Sequence, residues 1–106
     1  MNNVETSVKV LRPVGALTSD NVDAFKEEML TAITSENASE VAIDMAAVDT
    51  VDSSGLVALI KGYDVAKRHR KRLSLCDVAP PVRIVFELAQ LDRAVSMVDS
   101  QELQAA

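Results

Sequence analysis

The chain has 106 residues, a size typical of one domain, and 48% of them are hydrophobic while 25% are charged. This composition argues against intrinsic disorder. The single cysteine, Cys76, has no other cysteine in the chain to pair with, and no apolar run approaches the roughly 18 residues of a membrane span. Residues 1–7 are polar and lack the features of a signal peptide. We therefore expect one domain over residues 1–106, in the cytoplasm and without membrane insertion.

The charge balance and the rare residue types exclude several classes of function. A formal net charge of −5, from 11 basic and 16 acidic residues, weighs against nucleic acid as a partner, because phosphate backbones are bound by clustered Lys and Arg. Aromatic residues make up 3% of the chain, so stacking platforms for single strands are scarce. The one histidine and the one cysteine form no recognisable metal-ligand spacing. We expect no nucleic acid, metal or cofactor.

The first third of the chain predicts two strands and a helix. Alternating apolar residues indicate a strand over residues 4–12, which Pro13 bends or ends, and a short strand follows over 14–17, with a turn near Gly15. Residues 18–21 are rich in capping side chains and open a helix over about 20–34. Its apolar side is predicted to carry Val22, Phe25, Met29 and Ile33, and its outward side Lys26, Glu27 and Glu28.

The middle of the chain predicts a buried strand and a long helix. The apolar run over residues 41–45 is typical of a strand buried in a sheet, and a loop is expected through 49–51. The helix is predicted to begin at residues 52–54 and to end near Arg70. Its inward stripe is predicted to be Leu56, Leu59, Ile60, Tyr63 and Ala66.

The last third predicts two more strands around a third helix. The strands are expected over 73–76 and 95–98, and Pro81 suits the first position of the helix between them. Residues 100–106 are predicted to form a short terminal helix or a frayed end. The buried side of the third helix is predicted to be Val82, Val85, Phe86 and Ala89. The alternation predicts an α/β fold, with a mixed β-sheet of about four or five strands flanked by about four helices.

The segment Val-Asp-Ser-Ser-Gly-Leu at residues 51–56 is the most informative in the chain, because it stands between a predicted strand and the start of a helix. One interpretation is a helix cap, in which Asp52 or Ser53 accepts hydrogen bonds from free backbone N–H groups. Another is a phosphate site, since first-turn N–H groups and the helix dipole favour a negative group. Gly55 suggests that another protein can approach the backbone closely.

A serine hydrolase is the enzymatic alternative at this segment, and the sequence weighs against it. The only histidine, His69, lies sixteen residues after Ser53 on the same predicted helix, which at about 1.5 Å per residue separates them by roughly 24 Å. A catalytic base must lie within hydrogen-bond reach of its nucleophile. The Gly-x-Ser-x-Gly elbow is absent, because position 51 is Val. We expect no enzyme activity from this chain.

Two further features have structural explanations beside functional ones. The basic run at residues 67–72 is either a nucleic-acid or lipid-headgroup patch or a solvated helix end, where cations complement the dipole. Cys76 is expected to be a small core residue. Asp20 and Asn21 are candidate cap residues that lie on the same face as Ser53 if both segments follow strand ends.

Four features occur together in this chain: the strand pair ending at residues 14–17, the strand 41–45, the Asp-Ser-Ser-Gly-Leu junction and the later Pro80-Pro81-Val82. This combination resembles the STAS family, specifically the small bacterial anti-sigma-factor antagonists. The resemblance covers nearly the whole chain. It implies a STAS-like single domain, with a sheet flanked by helices and an exposed helix start.

The resemblance also implies a phosphorylation switch. In such antagonists the serine directly after the aspartate, here Ser53, accepts the phosphate, and Ser54 is the secondary candidate. Asp52 and Gly55 complete the motif. The implied partners are a serine kinase that is also the anti-sigma factor, and a PP2C-type phosphatase. The kinase binds the unphosphorylated form and is released by phosphorylation.

The partner-binding face is expected around the same helix start. Val57 and Lys61 follow Ser53 by one and two turns on one helix face, and Asp20 and Asn21 are the further candidates. The family also contains constitutive subunits of lipid-transport and stress-signalling complexes, so such a subunit is the alternative function. Nothing in the apolar pattern specifies an oligomeric state.

Overall fold

Strands and helices alternate along the part of the chain that the computed structural model describes, residues 7–88 and 96–98. The α/β class predicted from the sequence is confirmed. In chain order the elements are β1 (Val8–Leu11), β2 (Gly15–Leu17), α1 (Val22–Thr34), β3 (Glu40–Asp44), β4 (Val48–Val51), α2 (Ser53–Arg68), β5 (Arg72–Cys76), α3 (Pro80–Leu88) and β6 (Ser96–Val98).

The strands form two sheets rather than one. The larger sheet has the order β1-β3-β5-β6, and the smaller one pairs β2 with β4. Every ladder among the described strands is parallel, so the mixed sheet expected from the early strand pair is wrong in this respect. The physical reason is that β1 and β2 do not pair with each other: β1 lies beside β3 and β2 beside β4. Gly15, with a φ of 88° that favours glycine, begins β2 at this divergence.

The strand β4 replaces the loop that was expected through residues 49–51. The sequence Val-Asp-Thr-Val does not alternate as a half-buried strand does, because its buried residues, Val48 and Val51, stand three positions apart. The ladder with β2 is irregular at the same place, with a register shift between Gly15 and Ala16. A local irregularity of this kind removes the period of two on which the sequence prediction depended.

The core lies around β3 and the two long helices. Val41, Ala42 and Ile43 of β3 are fully buried, as expected for a central strand of a parallel sheet. Helix α1 contacts β3, α2 contacts β4 and β5, and the two helices pack on each other. No helix in the described segments is long and apolar enough to cross a membrane.

The apolar side of α1 is confirmed, while its outward side needs one correction. The four apolar residues predicted to face inward are all buried. Glu27 and Glu28 are exposed as predicted, but Lys26 is half-buried. A lysine commonly buries part of its aliphatic stem while its ammonium group stays in water.

The inward side of α2 consists largely of small residues, which the sequence analysis missed. Leu59 and Ala66 are buried as predicted, and Leu56 and Tyr63 pack against the core, whereas Ile60 is 47% exposed. Close helix packing selects small side chains at the contact, so the bulkiest apolar residues do not mark the centre of the stripe. The buried residues of α2 are Gly55, Ala58, Leu59, Gly62 and Ala66.

The third helix and its surroundings agree with the prediction in most positions. Helix α3 begins at Pro80, one residue before the predicted start, and contacts β4. Val82 and Phe86 are buried and Val85 is half-buried. The predicted burial of Ala89 and the predicted terminal segment 100–106 lie outside the described residues.

Two glycines of α2 allow close approach of neighbouring elements. A Cβ atom on Gly55 would lie 2.5 Å from the carbonyl oxygen of Leu17 and 2.9 Å from Cγ1 of Val51. A Cβ atom on Gly62 would lie 2.5 Å from Sδ of Met29. Gly55 therefore sets the distance between the start of α2 and β2, and Gly62 sets the contact with α1.

We expect Gly55→Ala to lower the free energy of unfolding by about 1–3 kcal/mol, because the new methyl group meets backbone that cannot move without shifting β2. Gly62→Ala is the matched control: it brings the same gain in helix propensity, but its methyl group meets the flexible end of Met29. Urea denaturation of both variants measures the difference. Equal stability of the two variants would contradict this account of the α2–β2 contact.

Cys76 is buried at the end of β5 and has a raised pKa. Burial, followed by the negative charges of Asp77, Asp44 and Glu40, raises the pKa of its thiol from 9.0 to about 11. The folded state then holds this proton more tightly than the unfolded state does. The resulting stabilisation is present below pH 9 and is lost as the pH rises towards 11.

The corresponding prediction compares the wild-type protein with Cys76→Ala under reducing conditions. The difference in free energy of unfolding between them should stay constant below pH 9 and should shrink between pH 9 and 11, because only the wild-type protein loses this contribution. Denaturant titrations at several pH values measure it. A difference that is constant across the whole range would show that the thiol ionises as freely in the folded protein as in the unfolded one.

Candidate functional site

The start of α2 is fixed by hydrogen bonds to β2 and to the loop after it. Asp52 has an extended backbone, with φ −98° and ψ −172°, and its N–H donates to the carbonyl oxygen of Leu17 at 3.2 Å. Its own carbonyl oxygen accepts the first helical hydrogen bond, from the N–H of Leu56 at 3.0 Å. The chain therefore changes from strand to helix at a single residue, and Ser53 follows it as the first residue of α2.

The carboxylate of Asp52 joins two segments of the chain. Oδ1 accepts a hydrogen bond from the N–H of Gly55 at 3.0 Å, and Oδ2 accepts one from the N–H of Ser19 at 3.2 Å. The first bond caps α2, and the second holds the loop between β2 and α1 against the helix start. Of the two residues considered for the cap, Asp52 fills the role.

The two serines of the motif differ in exposure. Ser53 is exposed, and its hydroxyl has no hydrogen-bond partner among the described residues, while Ser54 is half-buried. Because Asp52 supplies the cap, the Ser53 hydroxyl is not required for the helix start. The active site of another protein can reach the Ser53 hydroxyl more easily than the half-buried Ser54 hydroxyl.

The serines lie in a groove of about 440 Å³ between α1 and α2, which we call the α1–α2 groove. It contains Val57, which is 64% exposed, and Lys61, and so brings these two predicted residues together with both serines. From α1 it adds Val22 and Lys26, which were not among the predicted partner-binding residues. The lining residues are Val22, Lys26, Ser53, Ser54, Val57, Ala58 and Lys61.

The contribution of α1 to the groove could have been predicted from the topology of the fold. Helices α1 and α2 each follow a strand of the small parallel sheet, since β2 leads into α1 and β4 into α2. Parallel strands end at the same edge, so helices that follow them begin side by side. What the sequence did not reveal was that residues 48–51 form the second of these strands.

The loop residues Asp20 and Asn21 lie near the groove in different roles. The Asn21 side chain accepts a hydrogen bond from the N–H of Thr18 at 2.9 Å and donates one to the carbonyl oxygen of Ala16, so both of its polar atoms maintain the loop. Asp20 is exposed, and its carboxylate has no partner within the described segments. Asp20 is therefore the better placed of the two to contact another molecule.

The sequence suggested that Gly55 lets a partner approach the backbone closely, and the structure contradicts this. Gly55 is buried, and the space that a side chain would occupy is taken by Leu17 and Val51. Its lack of a side chain is explained by the packing of α2 on β2. The part of the motif that is available from outside is the hydroxyl of Ser53.

The serine-hydrolase alternative finds no histidine beside Ser53 in this geometry. His69 ends α2 and its Nδ1 lies 2.9 Å from the carbonyl oxygen of Val65, at the opposite end of the helix from Ser53. The described residues contain no group of three or more His, Cys, Asp or Glu placed to hold a metal ion.

The basic run at residues 67–72 is divided among several structural roles. Lys67 and Arg68 stand in the last turn of α2, and Arg68 pairs with Asp64 at 3.1 Å. Lys71 donates to the carbonyl oxygen of Ser35, and Arg72 belongs to β5. These contacts favour the helix-end interpretation over a continuous anion-binding patch.

Comparisons with known proteins agree with this fold. An anti-sigma F factor antagonist from Paenibacillus polymyxa is 23% identical over 94 residues, which cover 89% of this chain and 80% of that protein. The crystal structure of a putative anti-sigma factor antagonist from Thermotoga maritima matches with a TM-score of 0.82 and 21% identity, covering 92% of this chain and 86% of that one.

A third comparison concerns the Bacillus cell fate determinant SpoIIAA in its phosphorylated form, which matches with a TM-score of 0.71 and 20% identity over 98% of this chain and 94% of that one. At these identities the structural likeness shows the fold. The STAS domain profile matches residues 1–103, nearly the whole sequence, and the chain therefore belongs to the STAS domain family.

Proposed function

We propose that this protein is an anti-sigma-factor antagonist that works as a phosphorylation-switched binding module in the cytoplasm. The unphosphorylated form binds a serine kinase that is also an anti-sigma factor, and phosphorylation of Ser53 releases it. A PP2C-type phosphatase restores the binding form. The protein catalyses no reaction itself, because the kinase supplies the active site, ATP and Mg²⁺.

The observation that carries the proposal is the exposed hydroxyl of Ser53, which stands at a fixed helix start and has no hydrogen-bond partner among the described residues. A kinase needs an accessible oxygen in a defined position, and the hydrogen bonds of Asp52 to Gly55 and Ser19 supply the fixed position. In the transfer, the Ser53 oxygen forms a bond to the γ-phosphorus of ATP, the bond to the β-phosphate oxygen breaks, and ADP leaves. The kinase accepts the hydroxyl proton.

The relatives supply independent support. The curated relative is named an anti-sigma F factor antagonist, and one structural neighbour, SpoIIAA, is known in unphosphorylated and phosphorylated forms. The phosphorylated form keeps a fold that matches this chain. A switch in this fold can thus act through the charge of the surface rather than through unfolding.

The partner-binding face proposed here consists of Asp20, Asn21, Val57 and Lys61, around the α1–α2 groove. Val57 offers apolar area, Asp20 a negative charge and Lys61 a positive one. A neutral Ser53 is easily buried in such an interface. A phosphate there carries about −1.5 to −2 charges, which must be desolvated when the partner binds, so the affinity falls.

Phosphorylation by the cognate kinase tests the acceptor. We expect wild-type protein to take up one phosphate on Ser53, Ser53→Ala to take up none, and Ser54→Ala to react as the wild type does. Intact-mass and peptide mass spectrometry measure it. Full phosphorylation of Ser53→Ala would identify Ser54 as the phosphate acceptor instead. Recovery of the unmodified protein bound to a transport ATPase in cells would favour the alternative function as a constitutive subunit.

The docking face is tested by a matched pair of exposed apolar residues. Val57→Ala should weaken binding of the unphosphorylated protein to the kinase by about tenfold, a value typical of a contact in the centre of an interface. Ile84→Ala, which truncates a 55% exposed side chain on α3, should leave the affinity unchanged. Isothermal titration calorimetry measures both. A larger loss for Ile84→Ala than for Val57→Ala would place the interface on α3 instead.

A further inference from the structure

The α1–α2 groove has a charge opposite to that of the chain as a whole. The protein carries a formal net charge of −5, yet the charged residues that line this groove are two lysines, Lys26 and Lys61, and no carboxylate is among its lining residues. Neither lysine forms an ion pair within residues 7–88. Two lysines without an ion pair among the described residues therefore line the same concave surface as Ser53.

The direction of both helices brings these ammonium groups towards Ser53. Side chains on a helix lean towards its amino-terminal end, and α1 and α2 both begin beside the small sheet. Lys61 lies eight residues after Ser53, or about 12 Å along the helix axis, and its flexible four-carbon stem can cover part of that distance. Lys26 lies across the groove, three residues before Met29, which contacts Gly62 of α2.

We propose that Lys26 and Lys61 bind the phosphate of phosphorylated Ser53, so that the α1–α2 groove is a built-in receptor for the protein's own phosphoserine. The proposal rests on Ser53 as the phosphate acceptor. Two ammonium charges balance one phosphate dianion, and hydrogen bonds between charged groups are stronger than those between neutral ones.

The acidic residues near the α1–α2 groove do not line it. Asp52 precedes Ser53 and repels the phosphate, but its two oxygens are held by the N–H groups of Gly55 and Ser19. Asp20 and Asp23 are exposed, on the loop and in the first turn of α1, and line no part of the groove. The charged residues within the groove therefore favour the phosphate.

This arrangement gives the switch a physical mechanism. In the unphosphorylated protein the two lysines attract carboxylates on a partner. In the phosphorylated protein the same lysines are occupied by the internal dianion, and the groove loses its positive charge. Release then follows from competition for Lys26 and Lys61 as well as from the bulk of the phosphate.

The test installs phosphoserine at position 53 of the full chain by recoding and follows its ³¹P NMR signal through a pH titration, so that no kinase is needed. An ordinary phosphoserine has a second pKa of about 6. We expect the folded protein to lower this pKa by about one unit relative to the same chain unfolded in urea, because nearby cations favour the dianion. Lys26→Gln and Lys61→Gln should each reverse at least a third of that shift.

The matched control is Lys9→Gln. Lys9 is an exposed lysine that lines a separate groove, together with Glu27 and Glu28, and its replacement should leave the phosphate pKa unchanged. A second measurement needs no substitution: the ¹³Cε signals of Lys26 and Lys61 should shift when Ser53 is phosphorylated, and that of Lys9 should not.

Two outcomes would overturn the proposal. One is a phosphate pKa that is equal in the folded and unfolded chains. The other is a lowered pKa that neither lysine substitution changes, since the helix start alone would then explain it. Neither outcome bears on whether a kinase modifies Ser53 or whether the partner dissociates, so failure of the phosphate receptor is distinguishable from failure of the switch.

Discussion

The functional surface depends on the two hydrogen bonds of the Asp52 carboxylate. One oxygen caps α2 through Gly55, and the other holds the loop before α1 through Ser19. Because a single side chain does both, it links the start of α2 to the loop that leads into α1. The exposed serine, the groove and the loop with Asp20 are thereby held in one arrangement, which is the preorganisation that the proposed recognition by a kinase requires.

Close packing beneath this surface explains why the motif contains a glycine. The carbonyl oxygen of Leu17 accepts the N–H of Asp52 and also occupies the space where a side chain on Gly55 would lie. The buried half of the motif therefore holds α2 against β2, while the exposed half offers a hydroxyl. Residues that are adjacent in sequence serve the fold and the function separately, because a helix start turns successive side chains in different directions.

Several features of the site could be predicted from the sequence because they depend on local chemistry. Asp52 as a candidate cap, α2 as an amphipathic helix and the shared face of Ser53, Val57 and Lys61 all follow from helix geometry and capping preferences. Lys26 and Val22 could not be found in this way. Their place in the groove depends on two separate parallel ladders, and the strand β4 that creates one of them lacks a regular alternation.

The sequence by itself determined the α/β class, the positions of most helices and strands, and the segment proposed as the site, since apolar periodicity and capping residues act over a few neighbouring positions. The tertiary structure alone decided that the strands divide into two parallel sheets, that small residues rather than Ile60 face inward on α2, and that two lysines share a groove with Ser53. These outcomes depend on which distant segments meet, and the pairing of such segments is set by the packing of the whole core.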